Sequence, residues 1–263
     1  MDLQQWVIAI RENTEWLYTS LLYTQFFSLD IWSFVHFWSG MLIFALFTAF
    51  RSKKPWLWTV VILALYELVE AGIVVSVFKV FYPEKIFDSL SDLVVGMAGA
   101  VLVFAILKIG KNHNNRQLTK LWSSLLLASA TLSFLWVGFY GYRYNNVVLN
   151  SDGINYYAFC CWFVSGTAII GLYHTLRVKF YKTKLSAILV TWLVYLPSLF
   201  TFEYIGYFLL GLKETSLGIH PLIFDIIHGT HLLYVFYLFS PLFFIVLFSM
   251  AKLLFSHAFE KNN

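Results

Sequence analysis

The sequence predicts an all-α fold: a polytopic transmembrane helical bundle of about seven spans with its N-terminus outside. Three observations carry this. The 263-residue chain is 60% hydrophobic and only 12% charged, where a soluble domain would carry roughly 25% charged residues. Its mean hydropathy is +0.72, and the apolar residues run unbroken over lengths that cross a bilayer. Lysine and arginine gather in every second connection, so the net charge of +4 concerns orientation, and no nucleic-acid partner is expected.

Residues 1–28 read as an amphipathic helix lying on the membrane surface. Leu3, Trp6, Val7 and Ile10 recur at helical spacing against Asp2, Gln5, Arg11 and Glu12, and Trp6 and Trp16 serve as interfacial anchors. Arg11, Glu12 and Glu15 interrupt the segment, so it does not read as a signal peptide. Residues 29–263 read as one transmembrane domain. Ser28 is the expected N-cap of the first span, with Asp30 in its first turn.

The spans follow in order. Ile31 to Phe50 is closed by Arg51, Lys53, Lys54 and Pro55; Trp56 to Phe81 is the second, and Phe87 to Leu107 the third. A polar loop, Lys108 to Lys120, leads to a fourth at Leu121 to Tyr142. An Asn-rich loop, Asn145 to Gly153, precedes the fifth, Asn155 to Leu176, and the sixth is Leu185 to Leu210. The last apolar block, Pro221 to Phe255, exceeds one span. It reads as a tilted helix kinked near Gly229 or Pro241, with two short helices as the alternative. Basic clusters follow the first, third and fifth spans, which places those ends inside. Cys160 and Cys161 are adjacent in an apolar run and read as packing thiols, since neighbouring cysteines rarely form a disulfide framework.

Inside this frame the ionisable residues stand out. Glu67 lies roughly 16 Å along the helix from Trp56, near the midplane of a ~30 Å hydrocarbon core. A charge there costs at least about 2.5–3.5 kcal/mol. Glu67 and Glu70, three residues apart, share a helix face. Asp88, Asp92, Gly96 and Gly99 form a stripe on the third span, and Ser33, His36 and Gly40 a matching one on the first. Glu203 sits near the outer end of the sixth span, and Asp225, His228 and His231 open the last helix, fanned at spacings of three. All of these fall at the midplane or in the outer half.

Three routes can neutralise such acids. Lys79, Lys85 and Arg143 near the outer ends are too few and too shallow. Protonation would suit a relay. A divalent metal ion would use imidazoles and carboxylates as ligands, although the chain has no His-Glu-x-x-His motif.

The first three spans resemble the VanZ-like and YjdF-like membrane proteins. The likeness lies in Asp30-Ile-Trp-Ser-Phe-Val-His36-Phe-Trp-Ser-Gly40, Leu65-Tyr-Glu67-Leu-Val-Glu70 and Phe87-Asp88-Ser-Leu-Ser-Asp92-Leu-Val-Val-Gly96-Met-Ala-Gly99. It covers a three-helix unit over residues 29–107. It implies a role at the cell envelope, in the inner or plasma membrane, and implies no particular reaction.

The expected function is an intramembrane carboxylate/histidine site open to the outer leaflet, in an enzyme or binding protein for a lipid or lipid-linked substrate. His36, Glu67, Glu70, Asp88 and Asp92 form the candidate catalytic wall. Asp225, His228, His231 and Glu203 form a second wall able to hold a metal. A proton-coupled transporter using the same residues as a relay, and a non-catalytic assembly protein, remain alternatives.

Overall fold

The computed structural model describes residues 12–24, 27–70, 86–110, 113–181, 183–216, 220–221 and 228–261. Six helices in it are long and apolar enough to cross a membrane: Trp32–Ala49, Phe87–Ile109, Arg116–Tyr140, Tyr156–Lys179, Lys184–Leu209 and His231–Phe259. A shorter apolar helix spans Pro55–Val69. The chain is therefore a helical, multi-pass membrane protein. It divides into two compact units, Met1–Leu121 with Leu253–Asn263, and Trp122–Lys252, where the sequence suggests a single domain over 29–263.

The first unit opens differently from the expected surface helix. Leu3, Trp6, Val7 and Ile10 lie outside the described residues, but Ser20–Tyr23 (β1) pairs antiparallel with Ser28–Asp30 (β2). The hairpin closes through Thr24, whose hydroxyl donates to the Phe27 carbonyl at 2.8 Å and accepts from the Phe27 N–H at 3.0 Å. Ser28 is thus a strand residue and not a helix cap. The first span, α1 (Trp32–Ala49), has Ile31 at its N-cap position, with no side-chain bond from it. Asp30 Oδ1 accepts from the Ser33 N–H at 2.8 Å, and the Asp30 N–H donates to Ser33 Oγ at 3.3 Å. That reciprocal exchange is the logic of a capping box.

Helix α2 (Pro55–Val69) begins on a proline, whose missing N–H costs nothing at a helix start. The rest of the expected second span, through Phe81, lies outside the described residues. Helix α3 (Ile86–Ile109) packs on α1 along the two glycine stripes. A Cβ at Gly40 would stand 1.8 Å from the Gly96 carbonyl oxygen, and one at Gly99 would stand 2.1 Å from the Phe37 oxygen. The two helices touch main chain to main chain, as small-residue stripes allow in membranes. Leu63 of α2, 1% exposed, fills the space beside Gly96.

Helix α4 starts at His113 and runs to Tyr140, so most of the expected polar loop is helix. It stops where Gly141 takes φ +69°, a backbone that ends helices and suits glycine. In the second unit the Asn-rich segment is pinned to residues 211–216. Asn145 Nδ2 donates to the Gly211 carbonyl at 2.9 Å, its Oδ1 accepts from Lys213 N–H at 2.8 Å, and Ser216 Oγ accepts from Arg143 N–H at 2.7 Å. Asn155 caps α5 (Tyr156–Lys179) by accepting from Ala158 N–H, and Thr183 caps α6 (Lys184–Tyr204) likewise from Ser186 N–H.

The last apolar block is the other departure. His220–Pro221 (β3) pairs with His228–Gly229 (β4), and α7 covers only His231–Lys261. Gly229 has φ +150°, which no α-helix can pass through. The helix expected from Pro221 therefore starts about ten residues later, and Pro241 lies inside it.

Candidate functional site

The polar group at the centre of the first unit is built from three helices. His36 comes from α1, Glu67 from α2, Asp92 from α3, and Glu70 from the residue that ends α2. The glycine contact between α1 and α3 brings His36 and Asp92 together, because one helical turn separates Gly40 from His36 and Gly96 from Asp92. His36 is 1% exposed, Asp92 3% and Glu70 4%, while Glu67 is half-buried.

His36 Nδ1 stands 3.2 Å from Glu67 Oε1, and its Nε2 stands 3.6 Å from Asp92 Oδ2. One imidazole thus faces two carboxylates on opposite edges. Asp92 is held by the Ser33 hydroxyl, 2.7 Å from its Oδ1, and the same hydroxyl lies 3.1 Å from Asp30 Oδ1. Trp32 and Tyr66 wall the imidazole, each edge-on, with ring centroids 5.9 and 5.3 Å away. Ser89 of α3 approaches Glu67.

Several polar atoms here make no hydrogen bond: His36 Nε2, Glu67 Oε1 and both oxygens of Glu70. Tyr66 and Trp32 approach Glu70 without reaching hydrogen-bond geometry. Among the described residues no lysine or arginine pairs with Glu67, Glu70 or Asp92. One donor atom each from His36, Glu67 and Glu70 lie within 4.8 Å of one another, which is the spacing of a group that can hold a metal ion.

Asp88 does a different job. Its Oδ1 accepts from the Ser28 hydroxyl at 2.6 Å, and the Ser28 N–H donates to Ser91 Oγ at 3.1 Å. Asp88 therefore fastens the hairpin to α3. Asp30, at the end of β2, is pushed above the ordinary carboxylate value by burial, against the pull of its bonds from Ser33.

The residues expected to form the second wall belong to the other unit. Glu203, half-buried, accepts from the Tyr237 hydroxyl at 2.6 Å. His231 is exposed at the first residue of α7. Asp225 and the His228 side chain lie outside the described residues. The His228 backbone is held in β4, and His231 opens α7. Among the described residues, a metal-capable grouping falls on His36, Glu67 and Glu70 of the catalytic wall.

Sequence reasoning had placed Ser33 only in a packing stripe and Asp30 only in a helix turn. Their spacing, Asp30-x-x-Ser33, is itself a cap signature and was the available signal. Ser28 and Ser89 had no local signal, since their partners are distant in sequence. No family model matches the chain, and no curated protein or solved structure matches it either.

Proposed function

We propose that this is an integral membrane protein of the cell (inner or plasma) membrane, with about seven spans and its N-terminus outside. Its His36 cluster would act on a lipid or lipid-linked envelope substrate entering from the outer leaflet. One observation carries the reading: His36 is buried between Glu67 and Asp92, beside a Glu70 whose oxygens are unbonded. Unsatisfied ionisable groups inside a span are expensive and are kept for function. The alternation of basic connections supports the orientation, and the resemblance to VanZ-like and YjdF-like proteins supports an envelope role.

In this reading His36 and Glu67 do general acid–base work. Asp92, steadied by Ser33, fixes the orientation of the imidazole, and the imidazole–Glu67 pair takes a proton from water or a substrate hydroxyl. Glu70 supplies a second carboxylate on the same helix face. The reacting bond would be an ester or phosphoryl ester, since the substrate must pair an apolar tail with a polar head at this depth.

A proton relay is the rival, and one feature favours it. Asp30, Ser33, Asp92, His36 and Glu67 are strung together at 3.1, 2.7, 3.6 and 3.2 Å. The two readings separate in one preparation. Protein in nanodiscs is incubated with phosphatidic acid or a polyprenyl phosphate and the lipids are followed by mass spectrometry. Turnover or tight binding lost in His36→Ala and Glu67→Gln supports the lipid reading. Inert lipids together with His36-dependent proton flux in liposomes replace it with the relay.

A further inference from the structure

We propose that the cluster is a metal site, in which His36 Nδ1, Glu67 and Glu70 hold one divalent first-row transition ion and Asp92 orients the imidazole from its far edge. This rests on the reading of the cluster as the functional centre and names what that centre binds; with an ion on Nδ1, His36 serves as a ligand and proton transfer falls to a carboxylate of the cluster.

Geometry comes first. A tetrahedral ion with bonds of about 2.0–2.1 Å sets its ligands about 3.4 Å apart. The His36 Nδ1 to Glu67 Oε1 separation is 3.2 Å, and the donor atoms of all three residues lie within 4.8 Å of one another.

The bonding state of the atoms is the second, independent observation. Glu67 Oε1 and both Glu70 oxygens make no hydrogen bond. Glu70 is 4% and His36 1% exposed, so bulk water does not serve them. Buried carboxylate oxygens without donors are rare, and a bound ion is one of the few things that explain them. Charge agrees. Two carboxylates and a neutral imidazole carry two negative charges, which a divalent ion cancels, and no lysine or arginine among the described residues does so.

The far side of the imidazole completes the pattern. A histidine that ligates through Nδ1 must carry its proton on Nε2, and here Nε2 faces Asp92 Oδ2 at 3.6 Å. Asp92 in turn is held by Ser33 at 2.7 Å. Shortened to a hydrogen bond, this contact becomes the carboxylate–histidine–metal arrangement that fixes tautomer and ring orientation. One imidazole with two carboxylates suits zinc, manganese or iron and disfavours copper(I), which prefers sulfur ligands. Three protein ligands leave a position for water or a substrate oxygen, as catalytic sites do. Glu203, in the other unit, accepts from the Tyr237 hydroxyl on Oε1 and serves as the control.

The test uses the full chain purified in detergent. Its metal content is measured by mass spectrometry; the protein is then stripped with a chelator and titrated with Zn²⁺ and Mn²⁺, followed by calorimetry and thermal unfolding. The expected result is one ion per chain, a rise in unfolding temperature on adding the ion, and binding weakened at least tenfold in Glu67→Gln and Glu70→Gln. Asp92→Asn should weaken binding about 10–100-fold without abolishing it, and Glu203→Gln should leave it unchanged. If a glutamine variant does not fold, the wild-type titration and Asp92→Asn decide. Stripped wild type that takes up neither ion overturns the proposal, as do folded Glu67→Gln and Glu70→Gln that bind like wild type. Lipid turnover by metal-free protein would sink the metal site alone; a bound ion with inert lipids would sink the lipid reading alone.

Discussion

Glu70 and Glu214 are both buried carboxylates, 4% and 9% exposed, and they are treated in opposite ways. Glu214 receives the Tyr140 hydroxyl at 3.2 Å on one oxygen and the Ser216 N–H at 2.6 Å on the other. Thr230 backs Tyr140 with its own hydroxyl at 3.3 Å. Glu70 has no hydrogen bond at either oxygen and sits near Glu67, whose Oε1 is also unsatisfied. In the second unit Glu214 is thus bonded on both oxygens, by a phenol and a backbone N–H, and the Tyr237 phenol bonds Glu203. The first unit bonds Asp30, Asp88 and Asp92 through serines but leaves Glu70 and one oxygen of Glu67 without donors. An acid surrounded by donors is there to hold the fold, while an acid left without them is available to a ligand.

The contrast can be broken most violently at the helix contact that assembles the unsatisfied cluster. Gly40→Leu would drive a side chain into the Gly96 carbonyl and should cost more than about 4 kcal/mol. Almost no folded protein should be recovered from detergent extracts. Next is the saturated region. Tyr142, 4% exposed, accepts from the indole N–H groups of Trp136 and Trp162, each at 2.9 Å. Tyr142→Phe strands both donors and should destabilise by about 2–4 kcal/mol, read as a lower unfolding temperature and shifted tryptophan fluorescence.

A smaller effect of opposite sign sharpens the comparison. In metal-stripped protein, Glu70→Gln removes a charge that nothing satisfies and should raise stability by about 0.5–2 kcal/mol. Tyr237→Phe, by contrast, deprives Glu203 of its donor and should lower it by about 1–3 kcal/mol. Equal signs in the two unfolding curves would erase the distinction between the regions. The smallest effect concerns Asp30, whose folded-state value lies above 3.8 through burial. A carboxylate raised by folding favours the fold while protonated, so its contribution is present at low pH and is lost as pH rises from 3.8 through the folded value. Asp30→Asn should flatten that part of the stability–pH curve, as measured by unfolding at stepped pH.

Much of the first unit was legible because helical periodicity and glycine are local signals. Ser33, His36 and Gly40 on one span, and Asp92, Gly96 and Gly99 on another, announce two faces that can meet closely. The hairpin was not legible. Between its strands the sequence Thr24-Gln25-Phe26-Phe27 offers no glycine, proline or asparagine as a signal, and Thr24 bonds Phe27 through its side chain. The start of α7 was legible in part: Gly229 marks the expected break, and α7 begins just past it at His231. The role of Tyr142 was hidden for another reason. Its indole partners sit six and twenty residues away on different helices, and no spacing rule connects a phenol to two such donors. Glu70 and Glu214 likewise look alike on paper, because a carboxylate's donors come from elsewhere in the chain.

The Gly40–Gly96 contact has a consequence for how the cluster responds to its surroundings. Side chains that meet across an interface can swing to new rotamers, but peptide groups pressed together cannot. The span between His36 and Asp92 is thus gauged by rigid backbone, one turn away on each helix, much as a caliper is set by its frame. Changes in bilayer thickness or temperature would tilt this helix pair as a single piece and leave its gap the same.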